Sequence, residues 1–512
     1  MDAKEVAAAA LMFVTIAIKL SSFEASCYFP QEFQGEFLMQ SSVNVGNGVQ
    51  YSTLNITENS IPIWGNCHRR IGNAFILMFN YSETSCIRCL HLKLRSPNVL
   101  QVFASSQETI SKCFTNEESA EANCPSEASL SAGQTAEILL FKIKDNVGSY
   151  TSKKYCPIDG KYYLNYKGPT IKHRNECAGF NSTVDSCPSG STLNFRLRSC
   201  TFESYDMKFD CLGDWKGSKG ETYLVFTDSR HINDQKPKYR CALYRQDQIS
   251  GKIEMALSRD STCTTDLDNA TSGYEIFVLA PKAEEPWPAD VSFGMCTFPK
   301  WVHGDWEHVK VKGDTMIYKD HSSYKTYTIK CVGMLEDSDK YLIFSRTQCN
   351  EESYNCMKIS NRSKNILEFQ LGTNVSDNKD VYNLCSDENF EKRFLDNSRT
   401  NTIWFSGLDI TPGTSPGMCP ITGEYTGRIP DATDLCAKLW SDCRAPELMY
   451  YQVSHCESKE VYEEREYQCL GHWRESNFLY TYTQRRDVAA GTYECFVGSI
   501  ITDQEIFIKR SW

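Results

Sequence analysis

The feature that most restricts this chain is a cysteine phrase that occurs four times. Cys27 (CYFPQEFQGEF), Cys156 (CPIDGKYY), Cys296 (CTFPKWVHGDW) and Cys419 (CPITGEYTG) each have a proline close behind and a glycine two residues before an aromatic: Gly35/Phe37, Gly160/Tyr162, Gly304/Trp306 and Gly423/Tyr425. The openings lie 129, 140 and 123 residues apart. Units of that size are independent domains, not solenoid turns.

Two cysteine ladders alternate behind these openings. The second and fourth units share Cys156, Cys177, Cys187, Cys200, Cys211, Cys241 against Cys419, Cys436, Cys443, Cys456, Cys469, Cys495, with CLGDW (Cys211 to Trp215) matching CLGHW (Cys469 to Trp473). The first and third follow Cys27, Cys67, Cys86, Cys89, Cys113 against Cys296, Cys331, Cys349, Cys356, Cys385, and AFILMFN (74–80) matches KYLIFSR (340–346). The order reads A-B-A-B, as if a two-domain ancestor had doubled. The expected boundaries are a signal peptide over 1–26, then cysteine-rich β domains over 27–150, 151–290, 291–413 and 414–512.

Within a unit the pattern is β. In the third, WEHVKVKG, MIYKDHSSYKTYTIKCVGM, KYLIFSRT, YNCMKIS and ILEFQLG alternate apolar with polar and are separated by Asp, Ser, Asn and Gly clusters. Such spacing predicts an all-β chain of four tandem, disulfide-rich antiparallel domains, each a small sandwich or up-and-down barrel. The best helical candidate is ENFEKRFLDN (388–397). Linkers are expected at 119–135, 282–290 and 409–417, giving a bent rod of four beads. The last unit lacks a match for Cys263 and for the strand YEIFVL. It is expected to be incomplete, as in a truncated form whose fuller version continues to a stem or anchor.

Composition supports a compartment. Residues 7–18 (AAAALMFVTIAI) form an apolar run too short to span a bilayer but suited to a signal peptide, with cleavage expected around 22–26. Six N-x-S/T sequons follow, at Asn55, Asn80, Asn181, Asn269, Asn361 and Asn374, beside 24 cysteines. Together they predict a secreted glycoprotein whose cysteines form disulfides. The net charge of -11 argues against a nucleic-acid or anionic-membrane binder that relies on a basic field. The units hold 6, 7, 5 and 6 cysteines, so the odd counts require a bridge between units or free thiols.

No catalytic or cofactor constellation stands out. Ser415 lies in G-x-S-x-G (413–417), but in a Pro-rich linker and not the strand-turn-helix that a nucleophile elbow needs. Cys67-His68 and Cys86-x-x-Cys89-x-His91 have zinc-like residue types, yet the third unit matches neither histidine, so disulfides are the better reading. His303 and His308 read as surface or turn residues. Glu463/Glu464 and Asp337/Asp339 read as solvated charge and not as an acid/base pair. Trp215 and Trp473 read as core tryptophans packed on a disulfide. Trp306, two residues after its glycine, resembles the G-x-W of lipocalin-like barrels.

The C-x-F-P openings at Cys27 and Cys296, the C-P-I-x-G-x-Y openings at Cys156 and Cys419, and the two C-L-G-x-W phrases resemble those of an insect and nematode family of extracellular proteins. Members have four successive cysteine-rich domains of uncharacterised function. The resemblance spans residues 27–511 and implies secreted or membrane-tethered proteins without assigned enzyme activity. The expected function is therefore non-enzymatic: a secreted or cell-surface module for binding, adhesion or reception. Its partner would be an extracellular protein or glycan, with membrane contact only through an anchor outside this chain. Two alternatives are a carrier of small apolar ligands in lipocalin-like barrels and a secreted hydrolase with a spatially assembled site.

Overall fold

The computed structural model describes residues 27–511 apart from 45–47, 82–83, 107–112, 152, 168–180, 199–203, 218–219, 230–236, 293–295, 307, 336–338, 364, 379–380, 391–401, 407–415, 430–431, 460, 476, 488–491 and 503–504. The expected signal peptide, Ser415, Cys177 and Cys200 lie outside the described residues. The chain is all-β, with four large antiparallel sheets and one two-stranded ribbon among the described residues.

The first sheet contains β1 (Gly35–Asn44), β2 (Gly48–Ile56), β3 (Ser60–Ile61), β4 (Gly65–Ile71), β5 (Ala74–Tyr81), β6 (Thr84–Ser96), β7 (Val99–Ala104) and β8 (Ala136–Lys144), in the order β2-β1-β8-β7-β6-β5-β4-β3. The second contains β9 (Lys161–Lys167), β10 (Thr183–Asp185), β11 (Thr192–Leu197), β12 (Tyr205–Lys216), β13 (Thr222–Asp228), β14 (Tyr239–Gln246), β15 (Ile253–Leu257) and β18 (Glu275–Pro281). These eight close into an up-and-down barrel, with β16 (Leu267–Asn269) and β17 (Ser272–Gly273) forming a separate ribbon.

The third sheet runs in chain order through β19 (Gly304–Asp305), β20 (Val309–Lys312), β21 (Thr315–Asp320), β22 (Lys325–Met334), β23 (Lys340–Thr347), β24 (Glu352–Ser363), β25 (Ile366–Leu371) and β26 (Thr402–Ser406). The fourth likewise comprises β27 (Glu424–Ile429), β28 (Ala432–Asp442), β29 (Ala445–His455), β30 (Val461–Glu475), β31 (Phe478–Arg485), β32 (Thr492–Thr502) and β33 (Glu505–Ser511). Consecutive strands pair because each needs only a tight turn to reach the next.

Alternation places the cores. Along β12, Met207, Phe209, Cys211 and Gly213 are buried while Lys208, Asp210 and Asp214 face outward. The barrel interior is filled by Phe195, Phe209, Phe226 and Phe277 with Leu193, Met255 and Leu279.

One device recurs in all four units. The opening cysteine is bonded to a strand cysteine: Cys27–Cys67, Cys156–Cys211, Cys296–Cys331 and Cys419–Cys469. Immediately after each strand cysteine the ladder shifts register, between Cys67/Arg69, Cys211/Gly213, Cys331/Gly333 and Cys469/Gly471. The extra residue sharpens the local twist, and the entering chain is fastened beside the bend. The opening glycines carry φ of 127°, 99°, 140° and 106° at Gly35, Gly160, Gly304 and Gly423, values that L side chains rarely adopt. At Gly35 a side chain would also run into the Lys144 carbonyl.

Three expectations need correction. Residues 119–135 are not a loose linker: they carry α1 (Glu117–Ala122) and α2 (Glu127–Ser131), capped by Asn116 and Ser126, with Ala120 buried beside Ile76 and Ile87. Within 388–397 only a 3-10 turn over Asp387–Phe390 is described, and residues 391–397 lie outside the description. The four units do not make a rod. The first packs on the second, the second on the third, the third on the fourth, and the fourth returns to the first, closing a ring.

Candidate functional site

The contacts between units are built from their own sequence signals. At the first junction, Val99, Leu139 and Phe141 of the first unit share a buried cluster with Val225, Tyr239, Cys241, Leu243 and Ala256 of the second. Phe141 stacks on Tyr239 at 4.2 Å between ring centroids. Ser96 enters a notch that exists because residue 213 is glycine, and its Oγ donates to the Leu212 carbonyl at 2.6 Å. Arg95 lies 5.3 Å over Trp215, which stacks on Tyr223.

The third–fourth junction repeats this arrangement. Ser363 fills the notch at Gly471, Asn365 Nδ2 donates to the Leu470 carbonyl at 3.1 Å, and Ile366 is buried with Trp473, Tyr482 and Cys495. Trp473 stacks on Tyr480 as Trp215 stacks on Tyr223. The two tryptophans, expected as core residues packed on a disulfide, lie at the junctions: Trp215 packs on the cluster that holds the Cys241–Cys263 bond, and Trp473 is buried beside Cys495.

The second–third joint is covalent. Cys187 is bonded to Cys349, leaving even numbers of cysteines in both units. Around it, Gly190 N–H donates to the Tyr324 carbonyl at 2.6 Å, the Tyr155 and Thr326 hydroxyls meet at 2.7 Å, and Lys319 pairs with Asp159 at 3.0 Å. His321 lies 5.1 Å from the Tyr155 ring and 4.0 Å from that of His308.

The fourth–first seam encloses a cavity of about 410 Å³. Its first-unit wall includes Tyr28, Glu32, Glu58, Arg70 and Lys93, and its fourth-unit wall Tyr462, Glu463, Glu464, Arg485 and Asp487. Tyr28 and Tyr462 approach across the seam at 6.0 Å. Beneath the cavity, β30 and β31 place charge inside the sheet. Arg465 NH1 donates to Glu494 at 3.1 Å, Tyr467 Oη donates to Glu494 at 2.7 Å, and Arg485 pairs with Asp487 at 2.5 Å and with Glu32 from the first unit.

Burial alone would push Glu32 up, but the Arg485 charge and its hydrogen bond outweigh that and hold the carboxyl below the usual carboxylate range. Arg485, which burial would lower, is driven up instead by Asp487 and Glu32. Lys142 donates to the Glu32 carbonyl at 2.7 Å, and burial pushes its amine down to about 8. In the second unit the residue before the matching cysteine is Arg240, not a glutamate, and it pairs with Glu275 at 2.5 Å.

The candidate residues otherwise fall as follows. Cys67, Cys86 and Cys89 are bonded to Cys27, Cys113 and Cys124, so the zinc-like set is a set of disulfides. His68 pairs with Glu117 at 3.1 Å, and His91 is buried with Glu127 at 3.5 Å. His303 follows a 3-10 turn, its Nε2 3.1 Å from the Phe298 carbonyl. Trp306 donates to the Val302 carbonyl at 2.8 Å. Asp339 pairs with Lys358 at 3.5 Å, and Asp337 lies outside the described residues. Asn55, Asn181, Asn361 and Asn374 are exposed and Asn269 is partly so; the Asn80 side chain lies outside the description.

The first-to-third ladder also shifts. Cys89 sits opposite Ile76 and Cys356 opposite Leu342, equivalent places in AFILMFN and KYLIFSR. Cys356–Cys385 therefore matches Cys89–Cys124, while Cys86–Cys113 has no counterpart and Cys349 leaves the unit. Cys124 and Cys263, the latter bonded to Cys241, were missing from the expected disulfide set; the even total of 24 was the signal for them.

In the fourth unit Cys436–Cys456 forms, but Cys443 is an exposed thiol where a disulfide was expected. Cys495 shares the register of Cys241, and its Sγ lies 3.9 Å from the Phe496 carbonyl in place of the expected disulfide. No counterpart of Cys263 is described beside it.

Residues 25–129, 152–279, 292–398 and 419–511 match the domains of unknown function DUF7044, DUF7042, DUF7043 and DUF7045. No curated protein and no solved structure matches the chain. The chain is a tandem array of four distinct segments, each similar to a domain of unknown function.

Proposed function

We propose that the protein is a secreted, glycosylated, non-enzymatic binding module for an extracellular protein or glycan. The carrying observation is the ring. Apolar clusters that cross the first and third junctions, the Cys187–Cys349 bond and the seam ion pairs hold surfaces from four units in fixed relation. Pre-set surfaces bind without the ordering cost that flexible beads would incur. Ten disulfides among the described residues suit an oxidising compartment. We also read the matching junctions at Ser96/Gly213 and Ser363/Gly471 as the trace of an A-B pair that doubled.

A carrier of apolar ligands would need an emptied barrel, and four phenylalanines fill the interior of the second unit. The test is expression in secreting animal cells followed by a binding screen of the purified protein against extracellular proteins and glycans. The expected result is a glycan-dependent mass in the medium and saturable partners that are lost on reduction. Retention of the protein inside the cell, or no saturable partner, overturns the reading.

A further inference from the structure

The seam cavity deepens that reading and rests on it. We infer that the cleft between the first and fourth units receives a cationic segment of the partner, an extended stretch carrying lysine or arginine side chains. The cleft has the volume of a pocket for a few side chains, not for a folded domain. Its lining holds five carboxylates, Glu32, Glu58, Glu463, Glu464 and Asp487, against three cations, Arg70, Lys93 and Arg485.

The cations are not equal in what they offer. Arg485 is taken up by Glu32 and Asp487. The charges of Asp487, Glu464 and Glu32 act on Arg70, which donates from Nε to the Gly72 carbonyl. Glu463 is engaged by Arg465. Glu58 and Glu464 are exposed on opposite walls, and neither makes a direct ion pair among the described residues, although the Arg70 charge acts on Glu464. Carboxylates therefore stand on both walls, or lips, of the cleft in excess of the cations, with Arg70 and Lys93 as the positive charges not taken up in a direct ion pair among the described residues.

Tyr28 and Tyr462 add aromatic faces from the two units, and an amine or guanidinium gains from such faces. Leu435, half-buried in the lining, gives the aliphatic stem of a lysine or arginine an apolar contact. The net charge of -11 would steer a basic partner toward the molecule, and the cleft is where that field meets a concave, two-walled surface. An anionic segment would meet like charge on both lips.

The experiment titrates the full-length protein with a fluorescent eight-residue peptide of alternating lysine and leucine, and in parallel with its glutamate counterpart. The inference expects saturable binding of the basic peptide alone, weakening as salt is raised. Replacing both lips, Glu58→Lys with Glu464→Lys, is expected to weaken binding by about tenfold or more. The pair Glu118→Lys with Glu284→Lys makes the same charge change on exposed residues away from the cleft, and is expected to leave affinity within about twofold.

Equal weakening by the two pairs, or equal binding of the two peptides, overturns the inference, because either result means diffuse attraction. If partners from the screen bind equally well to the lip variant, the cleft assignment fails while the binding reading stands. If no partner exists at all, the reading itself fails.

Discussion

Ser96 and Gly213 meet where a strand turn of the first unit presses on the bulge of the second, and the fit leaves no room for a methyl group. A Cβ at residue 213 would fall within 3.0 Å of the Ser96 side chain. We expect Gly213→Ala to lower the stability of the paired units by about 1–3 kcal/mol, read as an earlier thermal transition. Ser96→Gly in the same chain should recover part of the loss. Equal losses with and without the second change would show that the notch is not the cause. The phrase C-L-G-x-W was legible in the sequence because it occurs twice. The reason for its glycine was not, because the serine hydroxyl it admits sits 116 residues upstream of the Leu212 carbonyl it reaches. The same holds for Trp215 and Trp473. Their chemistry was visible, but a residue that covers a neighbouring domain carries the same letters as one that fills its own.

Strands were the most legible elements, since a period of two needs only local reading. The cysteines were half legible. Their number and order marked the units, whereas partners depend on register, and one shifted rung sent Cys385 to the wrong counterpart until Ile76/Cys89 and Leu342/Cys356 aligned the strands. The two helices at 117–131 escaped because small polar residues resemble a linker; the legible sign was the cap at each start, where Asn116 Oδ1 accepts from Ser119 N–H at 2.8 Å. The element that recurs in all four units is the bulged strand tied to the domain opening. Breaking that tie in the fourth unit with Cys419→Ala and Cys469→Ala opens a loop of 50 residues. The expected cost is about 2–4 kcal/mol, measured by denaturant unfolding, with the Trp440–Tyr450 side of the sheet losing exchange protection first. An unchanged midpoint would mean that the sheet holds its entering chain without the bond.

At the scale of the molecule, the units form a ring where a rod was expected, and the linker between the second and third units is itself engaged: Trp287 lies 4.1 Å under the Arg346 guanidinium. The seam relies on the Arg485–Glu32 pair, as the second–third junction carries Lys319–Asp159 and the third–fourth Arg362–Glu475. The Arg485 charge and hydrogen bond hold the Glu32 carboxyl below the usual carboxylate range in the closed ring, so its stabilising contribution is complete above that range and fades as the pH falls through the folded value. Acidification should therefore open the seam between the first and fourth units, seen as faster hydrogen exchange over residues 28–34 and a larger radius in X-ray scattering. Glu32→Gln should weaken the seam at neutral pH by about 2 kcal/mol, a modest value for a pair that is partly exposed. It should also abolish the acid dependence; a variant that still opens with acid would place the switch elsewhere.

The bond between Cys187 and Cys349 has a separate consequence, for how the protein survives cutting. It joins the second and third units on the two sides of residues 282–290. Backbone cleavage in that stretch leaves a single covalent body, and only reduction releases the halves. Exposure to extracellular proteases at this point therefore changes the connectivity of the chain without dispersing its four units, and the ring can persist as a two-chain molecule.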